Sequence, residues 1–450
     1  MHLGIYHLEP LLIYIGAIVA FLLSILWKPP IGLYYLVPLL PMQTVRYWLH
    51  EFFLGEKLVD ILLLGVLIGL FLRRERPIFI ASMLNKLLIV LFALTYLSLW
   101  QGAFYLGGSL PISYLDPRFS DWKNYVEMLF LFFVVAAAIR TPKQMRIILV
   151  LVCLSILQVN RTYHNTIGDR DFSHFSYDLR DAGPLGYAGE NGMGAFQAGM
   201  SVFLIGLTTS TKRRIARWGL WAVAATCIYS LVLTFSRGGY LGFMAGLLIL
   251  GIVKERKLLI LFVGILLSWQ SVVPGAVTER VLMTYGDSQG LDPSAGERVT
   301  LWKDAMQVID HDPVIGTGFD TYKFMGRVGD FTDTHNYYVK VLLEMGIIGL
   351  LFLFYFLGVL SKMCWRLFRQ AQDEFLRSIG CAVFALSICT IVVNFFGDRW
   401  TYLQVNGFFW VLLGLVARGL FIFRQNEVAQ EAAASQASLT SVVTINALPA

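Results

Sequence analysis

The chain alternates long apolar runs with short basic ones. Runs of about 16 to 25 residues, each long enough to cross ~30 Å of hydrocarbon as a helix, centre on residues 11 to 27, 30 to 45, 58 to 72, 84 to 100, 123 to 139, 145 to 160, 191 to 210, 217 to 235, 238 to 253, 257 to 274, 336 to 361, 376 to 395 and 403 to 422. Pro29, Pro30, Pro38 and Pro41 break up the second run, which counts as one span or as a re-entrant pair, so the pattern predicts about twelve spans, or thirteen. Clusters of Lys and Arg (Arg73 to Arg76, Arg140 to Arg146, Lys212 to Arg217, Lys254 to Lys257, Lys362 to Arg377) fall in alternate connections. Such residues gather on the cytoplasmic side of membrane proteins, which puts the remaining connections (101 to 122, 161 to 190, 236 to 239, 275 to 335 and 396 to 402) on the outer side.

The expected organisation is therefore about ten helices over residues 1 to 274, a partly helical outward loop at 275 to 335, final spans over 336 to 424, and a disordered cytoplasmic tail at 425 to 450, rich in Ala, Ser, Gln and Thr. The first run lacks a basic leader and a small-residue cleavage site, so it is expected to remain as an anchor. No repeat and no pair of inverted halves is visible.

Composition agrees with this plan. Of 450 residues, 57% are hydrophobic and 15% charged, and the mean hydropathy is +0.64. An average soluble domain carries about 25% charged residues, so an ordinary soluble enzyme and a disordered chain are both excluded. The fold class is all-α, a polytopic membrane helix bundle. The formal charge of +6 reflects the basic connections and does not call for a nucleic-acid partner. Cys153, Cys227, Cys364, Cys381 and Cys389 lie in or beside apolar segments without metal-like spacing and read as packing residues.

Four outward features carry candidate chemistry. Ser236-Arg237-Gly238-Gly239 sits between two spans with almost no connection; the glycines suggest a tight reversal at positive φ, and Arg237 is costly at a membrane boundary unless it meets an anion. The plain alternative is an arginine snorkelling to the interface. In the second, Ser294 and Glu297 have the spacing of a capping box, which predicts a helix with Val299, Trp302, Met306 and Ile309 as its apolar stripe; Arg298 lies in its first turn, and pairing with Glu297 or Asp304 is its bland reading. The third, Asp312 to Phe319, is a turn that ends this helix and lacks the Lys-Ser/Thr of a phosphate loop. In the fourth, Asp333 or Thr334 is expected to cap the next helix, leaving His335 in its first turn as a neutral base, or simply as an interface residue. Asp287, Asp292, Asp304, Asp310, Asp320 and Asp330 are scattered, without the clustering of a divalent-ion site.

In order and spacing, Ser236-Arg237-Gly238-Gly239, Glu297-Arg298-x-x-Leu301-Trp302, Pro313-x-x-Gly316-x-Gly318, and His335-Asn336-Tyr337 followed by Glu344-Met345-Gly346 resemble the O-antigen ligase superfamily. It includes O-antigen ligases, Wzy-type polysaccharide polymerases and protein O-oligosaccharyltransferases of the bacterial inner membrane. The resemblance implies a GT-C-like bundle with its active site facing the periplasm. The implied reaction is metal-independent, inverting transfer of a glycan from undecaprenyl pyrophosphate to an acceptor hydroxyl. On lipid A core this is O-antigen ligation; growing polysaccharide or protein is the alternative acceptor. By the same resemblance His335 is the catalytic residue, Arg237 and Arg298 bind the pyrophosphate, Ser236, Gly238 and Gly239 support them, and Arg161, Arg180 and Asn336 are further contacts. No cofactor is implied. A flippase or secondary transporter is the competing class, although its key charges would be expected near mid-membrane.

Overall fold

The computed structural model describes residues 8–74, 76–108, 110–113, 115–283, 293–329 and 331–446. Among these the secondary structure is entirely helical. The apolar runs become α1 (Leu8–Leu26), α2 (Pro30–Leu39), a short α3 (Gln43–Trp48), α4 (Leu58–Leu72), α5 (Asn85–Leu106), α6 (Pro117–Ala138), α7 (Pro142–Ile167), α8 (Gly189–Thr208), α9 (Arg214–Leu233), α10 (Arg237–Val253) and α11 (Lys257–Val272). The outward loop supplies α12 (Gly275–Leu282), α13 (Pro293–His311) and α14 (Tyr322–Met325); α15 (Tyr337–Gln370), α16 (Glu374–Val393) and α17 (Leu403–Asn446) complete the chain. Seven of the described helices are long and apolar enough to span a membrane, and up to eight if the bent pair α11 and α12 counts as one. This is fewer than the twelve the runs predict, partly because α2 and α10 are short. The protein is a polytopic helical membrane protein.

α8 is the axis of the bundle and is buried from Gly192 to Thr208, with α9, α10 and α16 packed around it. Small residues permit this closeness: a Cβ on Gly206 would come within 2.7 Å of the Ala382 backbone, and one on Gly246 within 2.5 Å of Val202. α17 packs on α6 and α16, and its Arg418 donates to the carbonyl of Ala136 at the end of α6 (2.8 Å), where a helix leaves acceptors unpaired. Four cysteines are buried and Cys153 is half-buried, all as free thiols. Helix α17 continues to Asn446 through the segment whose composition predicts disorder. The N-terminal ends of α4, α6, α10, α15 and α17 and the loop carrying α12 to α14 gather at the end of the bundle away from the Lys/Arg clusters.

Candidate active site

At the Ser236 turn, the positive φ belongs to Phe235 (53°), a fully buried residue, and the two glycines are helical. This corrects the expected glycine reversal. Ser236 is the N-cap of α10, its Oγ accepting from the Gly239 N–H. The glycines are required by contact: a Cβ on Gly238 would lie 2.6 Å from Phe396 Cβ, and one on Gly239 2.9 Å from the Gly194 carbonyl oxygen. The turn thus presses α10 onto α8 and sets Arg237 at the first position of its helix.

Around Arg237 the structure collects arginines from distant parts of the chain. Burial, and then the like charges of Arg237, Arg399, Arg180 and Arg280, bring the Arg298 guanidinium down to about 10. Its Nε has no hydrogen-bond partner among the described residues. Asp304, its expected partner, instead pairs with Arg327 (2.9 Å), and Glu297 is exposed. Burial also lowers the Arg180 pKa, against the opposing pull of Glu190. Arg180 donates to Asn191 Oδ1 (2.8 Å), which also accepts from Ser236 Oγ (3.2 Å), so the 168 to 188 loop is tied to the start of α10. Arg280 lies over the rings of Phe175 (4.9 Å) and Tyr177 (5.2 Å). Arg399, 8% exposed, donates to the Ala188 carbonyl (3.4 Å). Arg161 is exposed within α7 and does not lie in the loop where the sequence suggested it.

Arg298 stands on α13, which begins at Pro293, so Ser294 lies inside the first turn and is not its cap. The buried face is Leu301, Ala305, Val308 and Ile309, shifted from the expected stripe, and Met306 is 43% exposed. Trp302, one turn after Arg298, donates from Nε1 to the Thr334 carbonyl (3.0 Å) and so joins this helix to the His335 segment.

His335 precedes helix α15, whose N-cap is Asn336; the Asn336 Oδ1 accepts from the N–H groups of Tyr338 and Val339. The expected cap at Asp333 or Thr334 is therefore displaced, and His335 lies outside the first turn. With φ of 50° it occupies the left-handed region, a strain of about 1 kcal/mol or more for a residue with a Cβ. Asp333 holds it there: the carboxylate accepts from the His335 backbone N–H (2.5 Å) and faces its Nδ1 (2.8 Å). Burial opposes charge on Asp333, but the hydrogen bond and charge of His335, with the charge of Lys340, hold its carboxyl well below the usual range. With Nδ1 so occupied, Nε2 is the ring nitrogen left to take a proton.

Asp333 also lines a cavity of about 590 Å³ walled by α3, α4, α6, the start of α17 and the 319 to 333 segment. At its base Lys340 bridges Asp320 (3.2 Å) and Asp398 (3.1 Å). Burial pushes the Asp320 carboxyl up, against the pull of Lys340. Sequence reasoning missed Arg280, Asn191 and the Asp333 partnership, and placed Arg399 only within the outward connection at 396 to 402. An Asp two residues before a His was the one available signal; the others belong to no motif. Asp287, Asp292 and Asp330 lie outside the described residues.

The fold and this arrangement define a multi-pass membrane protein with a cationic site beside a histidine–aspartate pair. Residues 222–354, which include Arg237, Arg298 and His335, match the family described as O-antigen ligase. The match relates this segment to the O-antigen ligase/Wzy superfamily and supports a ligase- or polymerase-type function in glycosyl transfer. No curated relative matches the chain.

Proposed function

We propose that the protein is an O-antigen ligase of the bacterial inner membrane, transferring a glycan from undecaprenyl pyrophosphate to a hydroxyl of lipid A core at the periplasmic face. The single observation that carries this reading is the arginine group around Arg298, whose burial and mutual repulsion make a strongly anionic ligand its natural complement. Arg237 and Arg298 take the pyrophosphate, with Arg180, Arg280 and Arg399 adding field. The acceptor oxygen attacks the anomeric carbon as the bond to pyrophosphate breaks. Its electron pair leaves on the pyrophosphate, and the acceptor proton passes to His335 Nε2 while Asp333 orients the ring. Direct attack inverts the anomeric centre, and in this reading the arginines supply the counter-charge without a metal ion.

The test is release of undecaprenyl pyrophosphate by purified protein given its lipid-linked glycan and lipid A core. Arg237→Ala and His335→Ala are each expected to abolish transfer in a folded protein, and undiminished transfer by both would remove the site. A ladder of repeats built on the lipid, in place of glycan on lipid A core, would make the protein a polymerase.

A further inference from the structure

The cavity lined by Asp333 differs in chemistry from the arginine group. Seven carboxylates and five Lys or Arg side chains line it, so its formal charge is negative. Its volume of about 590 Å³ falls within the ~300–1,000 Å³ of small-molecule sites. Phenol rings of Tyr47 and Tyr402 and the amides of Gln43 and Gln404 share the wall. The two glutamines are braced together, Gln404 Nε2 donating to Gln43 Oε1 (2.8 Å), which ties α3 to α17.

Several buried polar atoms around it are unspent. Lys123 is shared between Asp60 and Glu127 (2.5 Å each), yet Glu127 Oε1 has no hydrogen-bond partner among the described residues, and neither does Arg46 Nε. Beyond Lys340 and Tyr125 the cavity adjoins a pocket of about 30 Å³ lined by Glu344, which is 3% exposed and whose Oε1 is also unpartnered. Leaving such groups unpaired is costly. A ligand with many hydroxyls satisfies donors and acceptors together, and flat rings stack on its apolar faces.

We infer that this cavity is the acceptor site and that it takes an uncharged or amino sugar, rejecting phosphorylated sugars, because Asp333, which pairs with the proposed base His335, lines its wall. The inference rests on the proposed glycan transfer and narrows it: the carboxylates repel a phosphate-bearing acceptor, so on lipid A core the reacting residue is an unphosphorylated sugar.

Saturation-transfer NMR on the full-length protein in detergent tests this with methyl α-glucoside, glucosamine and glucose 6-phosphate as probes. Transfer is expected to the first two and not to the third, and to fall at least about threefold in Glu127→Gln and in Tyr47→Ala, the latter a rim residue 58% exposed whose loss leaves the core packing alone. Equal transfer to glucose 6-phosphate, or signals unchanged in both variants, would overturn the assignment. Thermal stabilisation by undecaprenyl pyrophosphate, followed in parallel, is expected to survive in both variants and to be lost in Arg298→Ala. If wild type shows no such stabilisation while the sugar signals behave as stated, the donor reading fails, and with it the acceptor role, while the cavity stands as a sugar-binding site.

Discussion

Arg298 works against the resting protein. A guanidinium whose folded pKa lies below its unfolded value is harder to keep charged in the fold, so the penalty is present at every pH below about 10 and is relieved only as pH rises past that value. An anion relieves it at neutral pH. Arg298→Met is therefore expected to raise the midpoint of thermal unfolding by roughly 2 °C without ligand and to lose most of the further rise that undecaprenyl pyrophosphate gives wild type; a variant less stable than wild type and still stabilised by the lipid would contradict this. Asp333 behaves in the opposite sense. Its carboxyl is held below the usual range, so its contribution is complete above the ordinary aspartate pKa of ~3.9 and fades only as pH falls through the lower folded value. It stays ionised wherever the enzyme works. Asp333→Asn is expected to slow transfer about 10²–10⁴-fold with lipid affinity unchanged, as kcat and lipid-binding measurements on the same preparation would show. An unchanged rate would leave Asp333 as a backbone strut only.

At the scale of elements, two motifs that look like separate signatures are halves of one joint. Helix α15 breaks at Gly346 (φ 62°), and the carbonyls freed ahead of the break accept from the turn before α14: Thr317 N–H to Leu343 (3.0 Å) and Gly318 N–H to Glu344 (2.8 Å). In return Ile347 N–H reaches the Pro313 carbonyl (2.9 Å). A Cβ on Gly346 would lie 2.2 Å from the Val314 carbonyl oxygen, and one on Gly316 2.5 Å from the Glu344 backbone, so neither residue can be larger. Gly346→Ala is expected to cost about 3 kcal/mol, read as a lower unfolding midpoint, and to reduce transfer in the folded fraction because α15 carries Asn336 and the Asp333–His335 segment on its end. Normal stability would show that the joint yields. The sequence order placed these motifs near one another, but spacing alone does not reveal that one supplies the donors the other lacks. The capping assignments at Ser294 and Asp333 erred for a related reason. Local pattern marks several residues able to cap, and the one chosen depends on tertiary partners such as Trp302 on the Thr334 carbonyl.

Across the whole molecule, the apolar runs were legible because a span depends only on length and composition, whereas the site was legible only in part. Arg237, Arg298 and His335 sit in recognisable motifs; Arg280, in the last turn of α12, and Arg399, in the connection before α17, reach the same group from segments with no pattern, since charge convergence is a property of the packed bundle. The distribution of charge makes one consequence global. If the Lys/Arg clusters mark the cytoplasmic face, the arginine group and the carboxylate-lined cavity both open on the periplasmic one. Lys303, exposed on α13, and Arg213, exposed at the start of α9, report the two ends of the bundle. Four native cysteines are buried, so Cys153→Ser gives a quiet background. In that background Lys303→Cys is expected to react with a membrane-impermeant maleimide in intact spheroplasts, and Arg213→Cys only after the membrane is opened. The reverse pattern would turn the site to the cytoplasm, where a periplasmic glycan acceptor does not meet it, and would reject the proposed reaction whatever the chemistry of its residues.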